Sequence, residues 1–152
     1  MTHHEKLIQL LDILLKIRSE AEAEGAIIMV EGKKDIAALS ALGFQGEIRP
    51  LNRGHPVLEV AEELARKKKK VIILFDWDRT GRALSSKLAS YLKGLDANYD
   101  LELRRELSLA VRARVKDVEG IDSYLRDLLS NLHLPFPLAT ILDRYQKKEI
   151  LH

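Results

Sequence analysis

The sequence predicts an α/β fold, a parallel sheet with helices on both faces. Three observations predict it. Ala26–Val30 and Val71–Phe75 are short, continuously apolar runs rich in β-branched residues, the pattern of strands buried on both faces. Segments with apolar residues at helical spacing alternate with them. Both runs end on acidic residues, Glu31 and Asp76, at the carboxyl end of a strand.

Taken in order, residues 5–24 read as an amphipathic helix with Leu7, Leu10, Leu11, Leu14, Leu15 and Arg18 inward, ended by Gly25. The first strand follows, then a tight turn at Gly32 and a helix from Asp35 to Leu42 that Gly43 stops. Residues 47–51 read as a short strand whose Pro50 suits a sheet edge. Pro56 opens a helix to about Lys68, burying Val57, Val60, Ala61, Leu64 and Ala65. After the Val71 strand, Thr80 is the expected cap of a helix from Gly81 to Leu92, closed by Gly94. Residues 101–110 read as a helix, whereas 111–116 alternate apolar and basic residues and stay open between helix and strand. Asp117–Gly120 reads as a turn, Asp122 or Ser123 begins a helix to about Leu132, and 138–149 form a last helix. Right-handed crossovers are expected between the parallel strands.

Residues two apart on an extended segment point the same way, so Asp76 and Asp78 are expected to face one space beyond the strand end. In an open parallel sheet that space is where ligands bind. Neighbouring carboxylates repel one another and are costly to desolvate without a cation. Oxygen ligands favour a hard divalent ion, Mg²⁺ first and Mn²⁺ second. If the two strands are neighbours, Glu31 joins the aspartates, and Asp35, one helical turn on, is a candidate ligand for a second ion. A helix-start role for Asp35 and turn or cap roles for single aspartates are the simpler alternatives. Arg79 and Arg82 beside the acids, Arg53 beside Gly54, and Lys33 and Lys34 beside Glu31 are candidate phosphate contacts. Trp77 either stacks a base or packs against the domain, with packing the expectation.

Val30-Glu31-Gly32-Lys33-Lys34-Asp35, followed about 40 residues later by Phe75-Asp76-Trp77-Asp78-Arg79-Thr80-Gly81, resembles the Toprim domain. Toprim is shared by type IA and type II topoisomerases, bacterial-type primases, overcoming-lysogenization-defect nucleases and ribosomal-RNA maturation nucleases. The resemblance covers residues 25–122 and is nearest to small stand-alone archaeal Toprim proteins. It implies a three-layer α/β/α domain with a central, mainly parallel four-stranded sheet, here with helical additions at residues 5–24 and 123–152. It also implies general acid/base work for Glu31, whose acidic neighbours would raise its pKa, and Mg²⁺ (or Mn²⁺) held by Asp76 and Asp78 with Glu31. Lys116-Asp117-Val118-Glu119 resembles the later acidic segment beside the metal in some Toprim proteins, so Asp117 and Glu119 are further candidate ligands, with a turn role as the alternative.

At 152 residues, 46% hydrophobic and 32% charged, the composition fits one globular domain. The absence of cysteine excludes disulfides and thiolate metal sites. No apolar stretch spans a bilayer and no signal-peptide pattern opens the chain, so a cytoplasmic protein without a membrane is expected. A net charge of +2 does not by itself argue for nucleic acid. The basic clusters Lys67–Lys70 and Arg104, Arg105, Arg112, Arg114 and Lys116 say more, although a solvated helix end accounts for the first. The expected function is Mg²⁺-dependent phosphodiester processing on RNA or DNA, as a nuclease. The alternative is a nucleic-acid-binding adaptor in a processing complex. Topoisomerase action is disfavoured without a further domain carrying a nucleophilic tyrosine, and primase action without a zinc-binding cysteine cluster. The terminal helices are candidate docking surfaces for a second copy or a complex partner, with packing on the domain as the simpler account.

Overall fold

The computed structural model describes residues 1–51, 54–111 and 114–151. Its elements run α1 (His3–Ala23), β1 (Ile27–Val30), α2 (Lys33–Ala41), β2 (Ile48–Pro50), α3 (Val57–Arg66), β3 (Val71–Ile73), α4 (Arg79–Gly94), β4 (Tyr99–Asp100), α5 (Glu102–Val111), α6 (Ile121–Asn131) and α7 (Leu138–Gln146). A 3-10 turn at Val118–Gly120 precedes α6. The four strands form one sheet in the order β2-β1-β3-β4, and every pairing is parallel. β1 and β3 are therefore the central neighbours, with Ile27 opposite Val71 and Met29 opposite Ile73.

Strand alternation splits the core into two apolar layers. Ile27, Met29, Val71, Ile73 and Phe75 face α3 and α4, where they meet Ala61, Leu64, Leu88 and Leu92. Ile28, Val30, Ile72 and Leu74 face the other side, which contains α1, α2, α5, α6 and α7. Strands buried on both faces need no polar alternation, which is why both central runs are uninterrupted. The three-layer α/β/α arrangement follows.

Several boundaries differ from expectation for identifiable reasons. The fourth strand is Tyr99–Asp100, two residues too short to show a period. α5 continues to Val111, and Arg112 and Ala113 lie outside the described residues. Asp78, not Thr80, caps α4: its Oδ1 accepts the Gly81 N–H at 2.7 Å. α1 begins at His3 because Thr2 and Glu5 form a capping box. Gly32 is extended (φ −148°, ψ 174°), a conformation open to any residue, so no turn there demands glycine. Arg18 is buried and ties α1 to α7 through Asp143 at 2.8 Å and Gln146 at 3.0 Å. Lys67 follows the end of α3, while Lys69 and Lys70 pair with Glu47 and Glu20.

Candidate functional site

The site begins where the β1–β3 ladder runs out. Leu74 N–H still donates to Met29 O at 2.8 Å. Two residues on, Asp76 N–H points the same way but meets a side chain, donating to Glu31 Oε2 at 2.7 Å. The Glu31 carboxylate thus takes the place of the next backbone carbonyl, and adjacent strand ends are joined by an acid.

Around this junction lies a recess of about 300 Å³ lined by Glu31, Gly32, Lys33, Lys34, Asp35, Asp76 and Glu119. A roomier, more apolar hollow of about 440 Å³ beside α6 and α7 has no carboxylate in its lining. Asp35 is buried, and its Oδ2 accepts the Gly32 N–H at 3.1 Å, so it serves as a helix-start acid while lining the recess. Its carboxyl is held above the usual range by burial, against the lowering pull of the Gly32 N–H, with Glu119, Glu31 and Asp117 adding repulsion. Asp76 is more strongly affected. Burial first, then the charge of Glu31 and a hydrogen-bonding contact with it, push its carboxyl up to about 8. Asp35 and Asp117 add repulsion. Its Oδ1 is buried with no hydrogen-bond partner.

The remaining predicted acids are placed differently. Asp78 is exposed, outside the recess lining, with Oδ1 engaged as the α4 cap. β3 ends at Ile73, so Asp78 stands at the N-cap of α4 and not on the extended strand shared with Asp76 that the sequence reading assumes. Asp117 caps the 3-10 turn, its Oδ1 accepting the Gly120 N–H at 2.9 Å. Glu119 is exposed at the recess. Among the described residues, no three His, Cys, Asp or Glu side chains already stand together as a metal-holding set.

Trp77 delivers the later acidic segment. Its backbone N–H donates to Lys116 O at 3.1 Å and its indole Nε1 to Val115 O at 2.6 Å. The indole is half-buried against the α1/α5/α6 core, so packing wins over an outward stacking pose. Lys33, Lys34, Arg79 and Arg82 are all exposed, and none makes an ion pair among the described residues. Lys33 and Lys34 line the recess, while Arg79 and Arg82 lie in the first turn of α4. Arg53 lies outside the described residues.

Two residues of this site escape sequence reasoning. Arg104 of α5 donates Nε to Phe75 O at 2.9 Å and Nη2 to Asp76 O at 2.7 Å. Gly81 sits so close to the Asp76 carbonyl that a Cβ there would lie 1.8 Å from the oxygen. For Arg104 the only sequence signal is membership of a basic cluster. For Gly81 it is the motif position alone.

The Toprim domain family model matches residues 26–108, spanning β1 to α5. The chain belongs to the Toprim family. Its similar relatives include a UPF0292 protein of Methanosarcina acetivorans, 34% identical over 88% of this chain and 92% of the relative. A second, from Pyrococcus horikoshii, is 46% identical over 69% of this chain and 78% of the relative. Among solved structures, a protein from Aquifex aeolicus is similar at a TM-score of 0.58 and 29% identity, covering 70% of this chain and 94% of that one. Toprim domains act in nucleic-acid processing and generally bind Mg²⁺. The donor set of this Toprim domain fits such an ion: oxygen ligands only, a buried carboxylate oxygen without a partner, and three further carboxylates lining the same recess. No helix among the described residues is long and apolar enough to cross a membrane.

Proposed function

We propose that this Toprim protein is a Mg²⁺-dependent nuclease acting on RNA or DNA, with Mn²⁺ as a substitute ion. The observation that carries the reading is Asp76 Oδ1, buried and unpartnered in a recess shared with Glu31, Asp35 and Glu119. An oxygen left in that state costs roughly 1–3 kcal/mol or more, a cost that a bound cation relieves. Asp76 and Glu31 would hold the ion, Asp35 and Glu119, which line the same recess, would be further ligands, and Asp78 would contribute the oxygen not used in capping α4. The ion, when bound, polarises a phosphoryl oxygen and steadies the leaving oxygen. Glu31 is the general acid/base. Lys33 and Lys34 on the recess, with Arg79 and Arg82 on the first turn of α4, meet the phosphate backbone.

The test is calorimetric titration with Mn²⁺ alongside cleavage of single-stranded DNA, duplex DNA and structured RNA. Carboxylate-dependent binding and metal-dependent cleavage, both lost in Asp76→Asn and the cleavage lost in Glu31→Gln, are expected. Intact substrates throughout that panel would count against nuclease action.

A second reading, a non-catalytic nucleic-acid-binding adaptor, is favoured by one observation: Asp78 and Asp117 are already engaged as caps. It expects salt-sensitive nucleic-acid binding that survives both substitutions.

A further inference from the structure

We infer that Arg104 is a positioning residue that fixes the Asp76 peptide, and through it the separation of Asp76 from Glu31. The inference deepens the metal-site reading above and rests on it for its consequence, although its geometry stands alone.

Past Leu74, whose N–H makes a ladder bond to Met29 O, the backbone carbonyls of Phe75 and Asp76 need donors from elsewhere. Arg104 supplies donors to two consecutive ones, Phe75 O and Asp76 O, from Nε and Nη2 of a single guanidinium plane. A rigid planar fork suits two fixed acceptors, whereas a lysine ammonium offers one mobile point charge. The Asp76 residue is therefore held at both ends: its N–H by Glu31 Oε2 and its carbonyl by Arg104 Nη2. Gly81 lies against the same carbonyl, with no room there for a Cβ. With N–H, carbonyl and the adjoining helix turn all constrained, the side chain of Asp76 has little freedom but to face the recess. Arg104 is half-buried; burial first, then the nearby Arg82, hold its guanidinium below the usual range, against the opposing charges of Glu31, Asp76 and Asp78.

The test uses the full chain with Arg104→Gln and Arg104→Lys, with Arg105→Gln as a control. Arg105 lies next in α5 but pairs with Glu102 at the surface. Amide hydrogen exchange is read at Asp76 and, as reference, at the core strand amides of Ile28 and Ile72. The expected result is at least 10-fold faster exchange at Asp76 in both Arg104 variants, with the reference amides unchanged and the control like wild type. Mn²⁺ affinity is expected to fall at least 10-fold in Arg104→Gln, with no rescue by Arg104→Lys. Asp76 exchange rising only in step with the reference amides would overturn the inference, as would full rescue of both readouts by lysine. Wild type that takes up no Mn²⁺ would defeat the metal-site reading, while the exchange comparison would still decide the role of Arg104.

Discussion

The indole Nε1 of Trp77 donates to Val115 O at 2.6 Å, joining the loop after β3 to a segment 38 residues away. That one bond, with the Trp77 N–H on Lys116 O, sets where Asp117 and Glu119 stand relative to Asp76. Trp77→Phe keeps much of the apolar packing but removes the donor and leaves the Val115 carbonyl to find another partner. A loss of about 1–2 kcal/mol in denaturant unfolding is expected. Hydrogen exchange in residues 115–120 should rise more than in β1. Equal change in both regions would show that the tether is not local.

The pH dependence of stability follows from Asp76, whose carboxyl stands at about 8 against 3.8 for the free group. The folded state binds this proton more tightly than the unfolded one. Its contribution is therefore complete below the lower value, declines as pH rises between the two, and is gone above the upper one. In metal-free protein, the melting temperature of wild type relative to Asp76→Asn is expected to fall across that window. A divalent ion binding the ionised carboxylate should release a proton near pH 7, which calorimetry in buffers of different ionisation enthalpy detects.

Asp78 has two separable roles. Asp78→Ser retains an oxygen for the Gly81 N–H and removes the carboxylate; Asp78→Ala removes both. Alanine should cost roughly 1 kcal/mol of stability and serine only a few tenths. Mn²⁺ affinity should drop in both if Asp78 is a ligand. A serine variant with wild-type affinity would leave Asp78 as a cap alone.

At Gly81 the obstacle is backbone. A Cβ would lie 1.8 Å from the Asp76 carbonyl oxygen and 2.5 Å from its carbon, neither of which can swing aside as a side-chain tip can. Gly81→Ala is expected to destabilise the fold by about 3 kcal/mol, at the upper end for overpacked sites, and to weaken Mn²⁺ binding by displacing Asp76. Gly32→Ala is the contrasting case, because open space surrounds that position. It should be close to neutral in stability.

What was legible in the sequence was whatever repeats or ends abruptly. The uninterrupted runs before Glu31 and Asp76 announce buried parallel strands with an acid at each end; the bond from Asp76 N–H to Glu31 Oε2 is visible only in the structure. Arg104 was invisible as an individual because its partners are backbone carbonyls 28 and 29 positions away, which carry no side-chain signature. β4 was missed because two residues show no alternation. The choice between Thr80 and Asp78 as cap turned on where the chain leaves extended geometry, and both residue types cap well. Asp78 stands at the start of α4 and not on the strand, so strand alternation alone does not set its direction.

The residues matched to the family stop at 108, yet the apolar layer on one side of the sheet does not. Leu7, Leu10, Leu11, Leu14 and Ile17 of α1 are fully buried within that same layer, each worth about 2 kcal/mol of apolar burial. Their sum, on the order of 10 kcal/mol, rivals the whole stability of an ordinary domain. A fragment trimmed to the shared family segment should therefore aggregate rather than fold. The family segment of this chain is therefore not portable by itself: grafting it elsewhere means transplanting α1 with it.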